Sequence, residues 1–281
     1  MVNVVLIHGG AGSDTSFSTV LANYAKLSAS QRGAMNVAVN AVRMLEDNPD
    51  FNAGTGSVKR IDGSIQMDAA VMTEEGFGSV VSIERVRNPV LVARAVMEKT
   101  PHLILSGDGA TKFARQLGYE DYDPSTEKSS KNWEKMIKIL SGEDNEAPNR
   151  YENYMKYAKV FGIVKDTVGA VSRVDGKFAA AVSTGGATPM MRGRVGDSPL
   201  PGCGIYSGKK GAVVATGIGE EIIKKMLCHN VYLRIGSEPL RNILEDEVSK
   251  FGVTSVGIIA VSKDEEAYSS NTSMATGIMK F

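Results

Sequence analysis

The chain has 281 residues, 42% of them hydrophobic, with 32 basic and 32 acidic side chains. This composition is neither disordered nor membrane-spanning, and zero formal net charge removes the electrostatic case for nucleic acid or an anionic membrane as partner. No apolar run approaches the ~20 residues of a spanning helix, and the first residues read as an ordinary strand rather than a secretory signal, so a cytoplasmic protein is expected.

Val2 to Ile7 reads as a buried strand. It runs into His8-Gly9-Gly10-Ala11-Gly12, a glycine loop of the kind that brings backbone N–H groups close to an anion or a scissile carbonyl. Neither the Gly-Lys-Ser/Thr of a phosphate loop nor a Gly-x-Ser-x-Gly esterase motif accompanies it. Met35, Ala38, Val39, Val42 and Leu45 fall at helical spacing over residues 31–46, and Pro49 stops that helix. Phe51-Asn52-Ala53-Gly54-Thr55-Gly56-Ser57 is too glycine-rich for a helix or central strand. Ile65 to Met72 and Phe77 to Ile83 read as neighbouring strands, and Pro89 to Lys99 as a helix with proline in its first turn. Asp108 to Leu117 reads as a short helix capped by Asp108.

Residues 119–160 are rich in charged and small polar side chains. Within them Trp133, Met136, Ile137 and Leu140 lie at i, i+3, i+4 and i+7, predicting an amphipathic helix, and Ser141 to Arg150 reads as a mobile linker inside one domain. From Thr167 onward strands are predicted at 167–173, 178–183, 203–207 and 211–216, helices at Glu220 to Leu233 and Pro239 to Phe251, a hairpin of Val256 to Val261 with Glu266 to Ser270, and an edge strand from Thr276 to Lys280. Strands group with strands and helices with helices. That is an α+β pattern, suited to two stacked sheets with helices outside.

The chemistry gathers around Asp166-Thr167-Val168-Gly169-Ala170-Val171. A threonine hydroxyl needs a base beside it, and an N-terminal threonine brings its own in the free α-amine. An amine pKa near ~8 leaves a useful neutral fraction at neutral pH. Such a site needs no histidine. His8, His102 and His229 are far apart and share no metal-ligand spacing, and Cys203 and Cys228 read as reduced thiols. Taken alone, Thr167 is an ordinary β-branched strand residue, and three further segments change that reading. Arg194 and Asp197 lie three apart in a loop punctuated by Gly193, Gly196 and Pro199. A guanidinium with a carboxylate can clamp both charged groups on an amino acid's α-carbon, whereas a plain loop ion pair contributes only ~0–1 kcal/mol. Thr184, in Ser183-Thr184-Gly185-Gly186, can hydrogen-bond Thr167, and Thr216 with Gly217 offers a hydroxyl and an N–H toward a developing oxyanion. Asn52 can supply a side-chain amide to the oxyanion or to the new amine.

Together these segments resemble the plant-type L-asparaginase/isoaspartyl aminopeptidase family of N-terminal nucleophile hydrolases, along nearly the whole chain. The resemblance implies a four-layer αββα sandwich and a precursor that cuts itself between Asp166 and Thr167. The products would be an α subunit, 1–166, and a β subunit, 167–281, forming one domain; two such heterodimers would pair. It makes Thr167 the nucleophile, supported by Thr184, with Asn52 beside it. Arg194 would bind the substrate α-carboxylate, Asp197 its α-amine, and Thr216 and Gly217 the oxyanion. The implied reactions are hydrolysis of L-asparagine to L-aspartate and ammonia, and cleavage of β-aspartyl dipeptides, through a β-aspartyl ester. No catalytic cofactor is implied. The loop from Leu45 to Thr55 resembles the family's structural sodium loop, with the carbonyls of Leu45, Glu46, Asn48, Phe51, Ala53 and Thr55 around the ion. Many members carry glycine where this chain has Asp166. That aspartate and the run Gly196 to Gly202 resemble the glycosylasparaginases, so a glycosylasparaginase stands as one alternative and an uncut, inactive scaffold as another.

Overall fold

The computed structural model describes residues 1–141, 164–165 and 167–281; most of the predicted linker and Asp166 lie outside the described residues. Among the described residues the strands form two main sheets. The larger has seven strands in the order β13 (Thr276–Lys280), β1 (Val4–His8), β6 (Val168–Val174), β7 (Lys177–Thr184), β2 (Met67–Thr73), β3 (Phe77–Ile83) and β4 (Ile104–Ser106). All its pairings are antiparallel except β3 with β4. The smaller is antiparallel, in the order β12 (Glu266–Ser270), β11 (Val256–Ser262), β10 (Gly211–Gly217) and β9 (Ile205–Gly208). A short ribbon joins β5 (Val164–Lys165) to β8 (Ala187–Thr188).

Side-chain alternation along each strand divides the apolar residues among three cores. On β1, Val5 and Ile7 pack with Leu21 of α1 (Ser18–Ser28), Val37, Val42 and Leu45 of α2 (Ala34–Asp47), and Val92 and Val96 of α3 (Pro89–Lys99). Val4 and Leu6 point the other way, into a second core with Val171, Val182, Ile205, Val214 and Ile259 drawn from both sheets. The third core sets Val213, Ala215 and Ile258 of the smaller sheet against Leu227 and Val231 of one helix and Ile243 and Leu244 of another. β1 is thus buried on both faces, which is why its sequence is continuously apolar rather than alternating. Each buried aliphatic side chain contributes roughly 1.5–3 kcal/mol. Most ion pairs here are solvent-exposed and worth about 0–1 kcal/mol each, so the strand faces hold the molecule together.

Several predicted elements need correction. Residues 18–28 form α1 although only Leu21, Ala25 and Ser28 are buried, too thin a stripe to announce a helix. The predicted helix from Glu220 to Leu233 is two helices, α6 (Gly219–Lys225) and α7 (Leu227–Arg234), because Met226 takes a left-handed conformation, φ 48°, and turns the axis. Asp108 does not cap its helix: α4 (Gly107–Gln116) starts from Ser106, and Asp108, in the first turn, pairs with Lys112. The amphipathic helix around Trp133 is present as α5 (Glu127–Ser141), with the indole donating to the Ile61 carbonyl. α8 (Leu240–Ser249) completes the described helices; none is long and apolar enough to cross a membrane.

Candidate active site

Strand register brings the two central threonines together. Val168 pairs with Ser183, so Thr167, one residue earlier, stands opposite Thr184. Both are buried, and the Thr167 hydroxyl lies 3.3 Å from that of Thr184. The Thr184 oxygen also accepts the Gly186 N–H at 2.9 Å. Asn52 braces this turn from beneath. Its amide donates to the Gly186 carbonyl at 2.7 Å, its side-chain oxygen accepts from Val58, and its own carbonyl takes the Gly185 N–H. A Cβ on Gly185 would lie 2.3 Å from the Asn52 side-chain oxygen, so only glycine admits this approach. One N–H of the Asn52 amide is therefore engaged with the backbone that follows Thr184.

Arg194 and Asp197 also come together. A Cβ on Gly219, at the start of α6, would sit 2.9 Å from both Arg194 Nη2 and Asp197 Oδ1, so the guanidinium and the carboxylate converge on that glycine. The Asp197 carbonyl takes the N–H groups of Leu200 and Gly204, each at 3.0 Å, closing its loop. Glu220 grips Arg194 in a bidentate pair, Nε at 3.0 Å and Nη2 at 2.9 Å. Burial alone would lower the Arg194 guanidinium; Glu220, then Asp197 and Asp68, hold it above its ordinary value. One cleft is lined by Thr167, Thr184, Gly186, Arg194, Gly196, Asp197, Ser198 and Gly217. Gly217 has φ 139°, backbone that favours glycine. Thr216 is fully buried and its hydroxyl oxygen accepts the Ala11 N–H at 3.1 Å, tying the first glycine loop to the end of β10. A wider groove of about 530 Å³ lies between the edges β12 and β13, with Leu6, Tyr268 and Ile278 in its wall. Arg241, Glu266 and Lys280 line it, whereas the Thr167–Thr184 hydroxyl pair opens into the smaller cleft.

Other charged and polar residues reach the site, and of these only His8, at the head of the glycine loop, lies in a motif singled out in the sequence. Asp68 on β2 pairs with Thr184 and is buried; its carboxylate accepts the Ser82 N–H at 2.7 Å. Burial raises it above the ordinary carboxyl range, against the pull of that N–H, Arg60, Arg194 and Gly196. Arg60 is wholly enclosed, donates to the Gln66 carbonyl at 2.8 Å, and is pushed down to about 10 by burial, still a cation at neutral pH. Gln66 in turn accepts the Gly193 N–H at 2.7 Å and anchors the clamp loop. His8 is buried beside the Thr167 backbone, and burial lowers it to about 3. The signal available was one polar residue inside an apolar strand, Asp68 in Met67-Asp68-Ala69-Ala70 and His8 after Val4-Val5-Leu6-Ile7.

The Leu45 to Thr55 loop can be tested as a cation site on its donors. The Glu46 carbonyl lies 2.6 Å from where a Gly54 Cβ would be, and the Phe51 carbonyl 3.0 Å from a Gly56 Cβ. The carbonyls of Leu45, Glu46 and Asn48 accept N–H groups from Asn48, Thr55 and Phe51, which leaves each a second lone pair. Backbone carbonyl oxygens are donors of the kind a hard cation takes. The Glu46 side chain points elsewhere. Its buried carboxyl, pushed up to about 8 by burial, accepts the Val90 N–H at 2.9 Å in the first turn of α3.

The cleft gathers a buried hydroxyl pair, a guanidinium and a carboxylate on a two-sheet α/β frame, and comparison with known proteins makes its owner a hydrolase. The model of the family described as Asparaginase matches residues 1–280, and the chain belongs to that family. It is 39% identical to a plant-type L-asparaginase of Thermococcus kodakarensis, over 98% of this chain and 96% of that protein. It is 41% identical to an isoaspartyl peptidase/L-asparaginase of Danio rerio, covering 81% and 74%, and 35% identical to an isoaspartyl peptidase of Escherichia coli, covering 81% and 75%.

Proposed function

We propose that this protein hydrolyses L-asparagine and β-aspartyl dipeptides with Thr167 as nucleophile, freed by cleavage of its own Asp166–Thr167 bond. The observation that carries the reading is the Thr167–Thr184 hydroxyl pair opening into the same cleft as Arg194 and Asp197. The names of the relatives supply the substrate class. In cleavage, the Thr167 hydroxyl attacks the Asp166 carbonyl, the acyl group moves from nitrogen to oxygen, and water hydrolyses the ester. In turnover, Arg194 holds the substrate α-carboxylate and Asp197 the α-ammonium, which fixes the side-chain amide over Thr167. The free α-amine takes the hydroxyl proton as oxygen attacks. Thr216 and the Gly217 N–H stabilise the oxyanion, a contribution of about 3 kcal/mol for one good donor. The leaving ammonia or peptide amine departs with a proton, and water releases aspartate from the β-aspartyl ester.

The finer architecture belongs to this reading. Three apolar cores, one between the sheets and one outside each, support a four-layer αββα sandwich. A subunit boundary at 166/167, pairing of two heterodimers, a structural sodium at the 45–55 loop and a cytoplasmic location complete it. Denaturing electrophoresis with an ammonia assay tests the centre of the proposal. The aged protein gives two fragments and releases ammonia; Thr167→Ala stays one band and releases none. A wild-type chain that remains whole and inert would leave the scaffold reading, and turnover of a glycosylated asparagine but not of a β-aspartyl dipeptide would select a glycosylasparaginase.

A further inference from the structure

His8 closes β1 between Thr276 on β13 and Gly169 on β6. Cross-strand partners share a face, and Thr167 lies two residues before Gly169, on the same side of the extended chain. The His8 ring therefore lies on the nucleophile's side of the sheet, diagonal to it. Gly169 makes room for it: a Cβ there would be 2.5 Å from His8 Nε2 and 2.5 Å from a Val214 methyl. The ring is wholly buried, and the polar group it faces is the backbone of Thr167. Among the described residues neither ring nitrogen completes a well-aligned hydrogen bond. Burial keeps the imidazole neutral, with one N–H to give. Burying a polar ring is costly unless it is hydrogen-bonded, and an apolar side chain would fill the same space without that requirement, so packing alone does not account for an imidazole here.

We propose that His8 is a positioning residue, whose ring N–H holds the Thr167 backbone carbonyl and so fixes the attacking hydroxyl against Thr184. The inference rests on Thr167 being the nucleophile. In the uncut chain the backbone secures Thr167 from both sides. Once the bond before it is broken, Thr167 is a chain end, held covalently only through Val168, and chain ends fray unless tied down. The tie matters more for turnover than for self-cleavage.

The test uses the full-length chain, allowed to cut itself, with a β-aspartyl dipeptide as substrate. Wild type, His8→Leu and His8→Gln are compared for the fraction cut, kcat, KM and thermal midpoint. His8→Leu lowers kcat on the order of 10–100-fold, the cost of a small misplacement of a reacting group. KM stays within about twofold because the clamp is untouched. His8→Gln, which restores an N–H donor, recovers most of the loss, and both variants still cut. A folded His8→Leu with wild-type kcat overturns the inference. So does an equal loss in both variants that follows their thermal midpoints, since that is a packing role. Where His8→Leu does not fold, Gly169→Ala displaces the ring instead: a kcat loss at constant KM supports the proposal, and unchanged kcat overturns it. Thr167→Ala separates the two readings. Activity in that variant removes the nucleophile itself, whereas an inactive Thr167→Ala beside a fully active His8→Leu removes only the role of His8.

Discussion

In the proposed reading Arg194 would serve two carboxylates: Glu220 occupies its Nε–Nη2 edge, and the α-carboxylate of a substrate would be the second. A lysine offers a point charge and cannot hold Glu220 and a ligand through a planar fork. Arg194→Lys is expected to raise KM about 10–100-fold with a smaller change in kcat, because the lost contact is made in ground and transition states alike; steady-state kinetics read this directly. His8 adds a pH effect on stability. Its folded value is about 3 against 6.5 for a free imidazole. Between those values the unfolded chain binds a proton that the folded chain refuses, so this contribution is complete above 6.5 and declines as pH falls toward 3. Urea unfolding near neutral pH and again between those two values is expected to show a smaller acid loss in His8→Gln than in wild type.

The elements explain what could be read in advance and what could not. Most strands and α2 declared themselves, since alternation and helical spacing follow directly from which faces are buried. Thr167, Thr184, Arg194 and Asp197 stood in glycine-punctuated runs, and glycine at close approaches is visible in a sequence. Asp68 and His8 were hidden because strand pairing, not spacing along the chain, puts them beside Thr184 and Gly169. The bend at Met226 carries no proline or glycine signal, and the backbone accepts left-handed strain there to turn one helix into the next. Packing of α3 on β3 is equally invisible and equally strict. A Cβ on Gly78 would lie 2.3 Å from the Ala93 carbonyl and 2.6 Å from Met97 Cβ, so backbone meets helix directly. Gly78→Ala is expected to destabilise the protein by about 1–3 kcal/mol as the helix is forced outward, measurable as a lowered urea midpoint.

At the scale of the whole molecule, the seven-stranded sheet interleaves strands from the two halves of the chain. β1 from the first half lies between β6 and β13 from the second, and β7 from the second pairs with β2 from the first. A cut before Thr167 would therefore leave two polypeptides sharing one hydrogen-bonded sheet and one inter-sheet core. They are expected to co-elute on size exclusion under native conditions and to part only in denaturant. The same arrangement governs synthesis. β1 leaves the ribosome long before one of its partners, Thr276–Lys280. At about 5–20 residues per second that is a delay of tens of seconds. Through that interval an apolar segment, oily on both sides, waits without its full set of neighbours, and the nascent protein must be shielded from self-association until Thr276–Lys280 emerges.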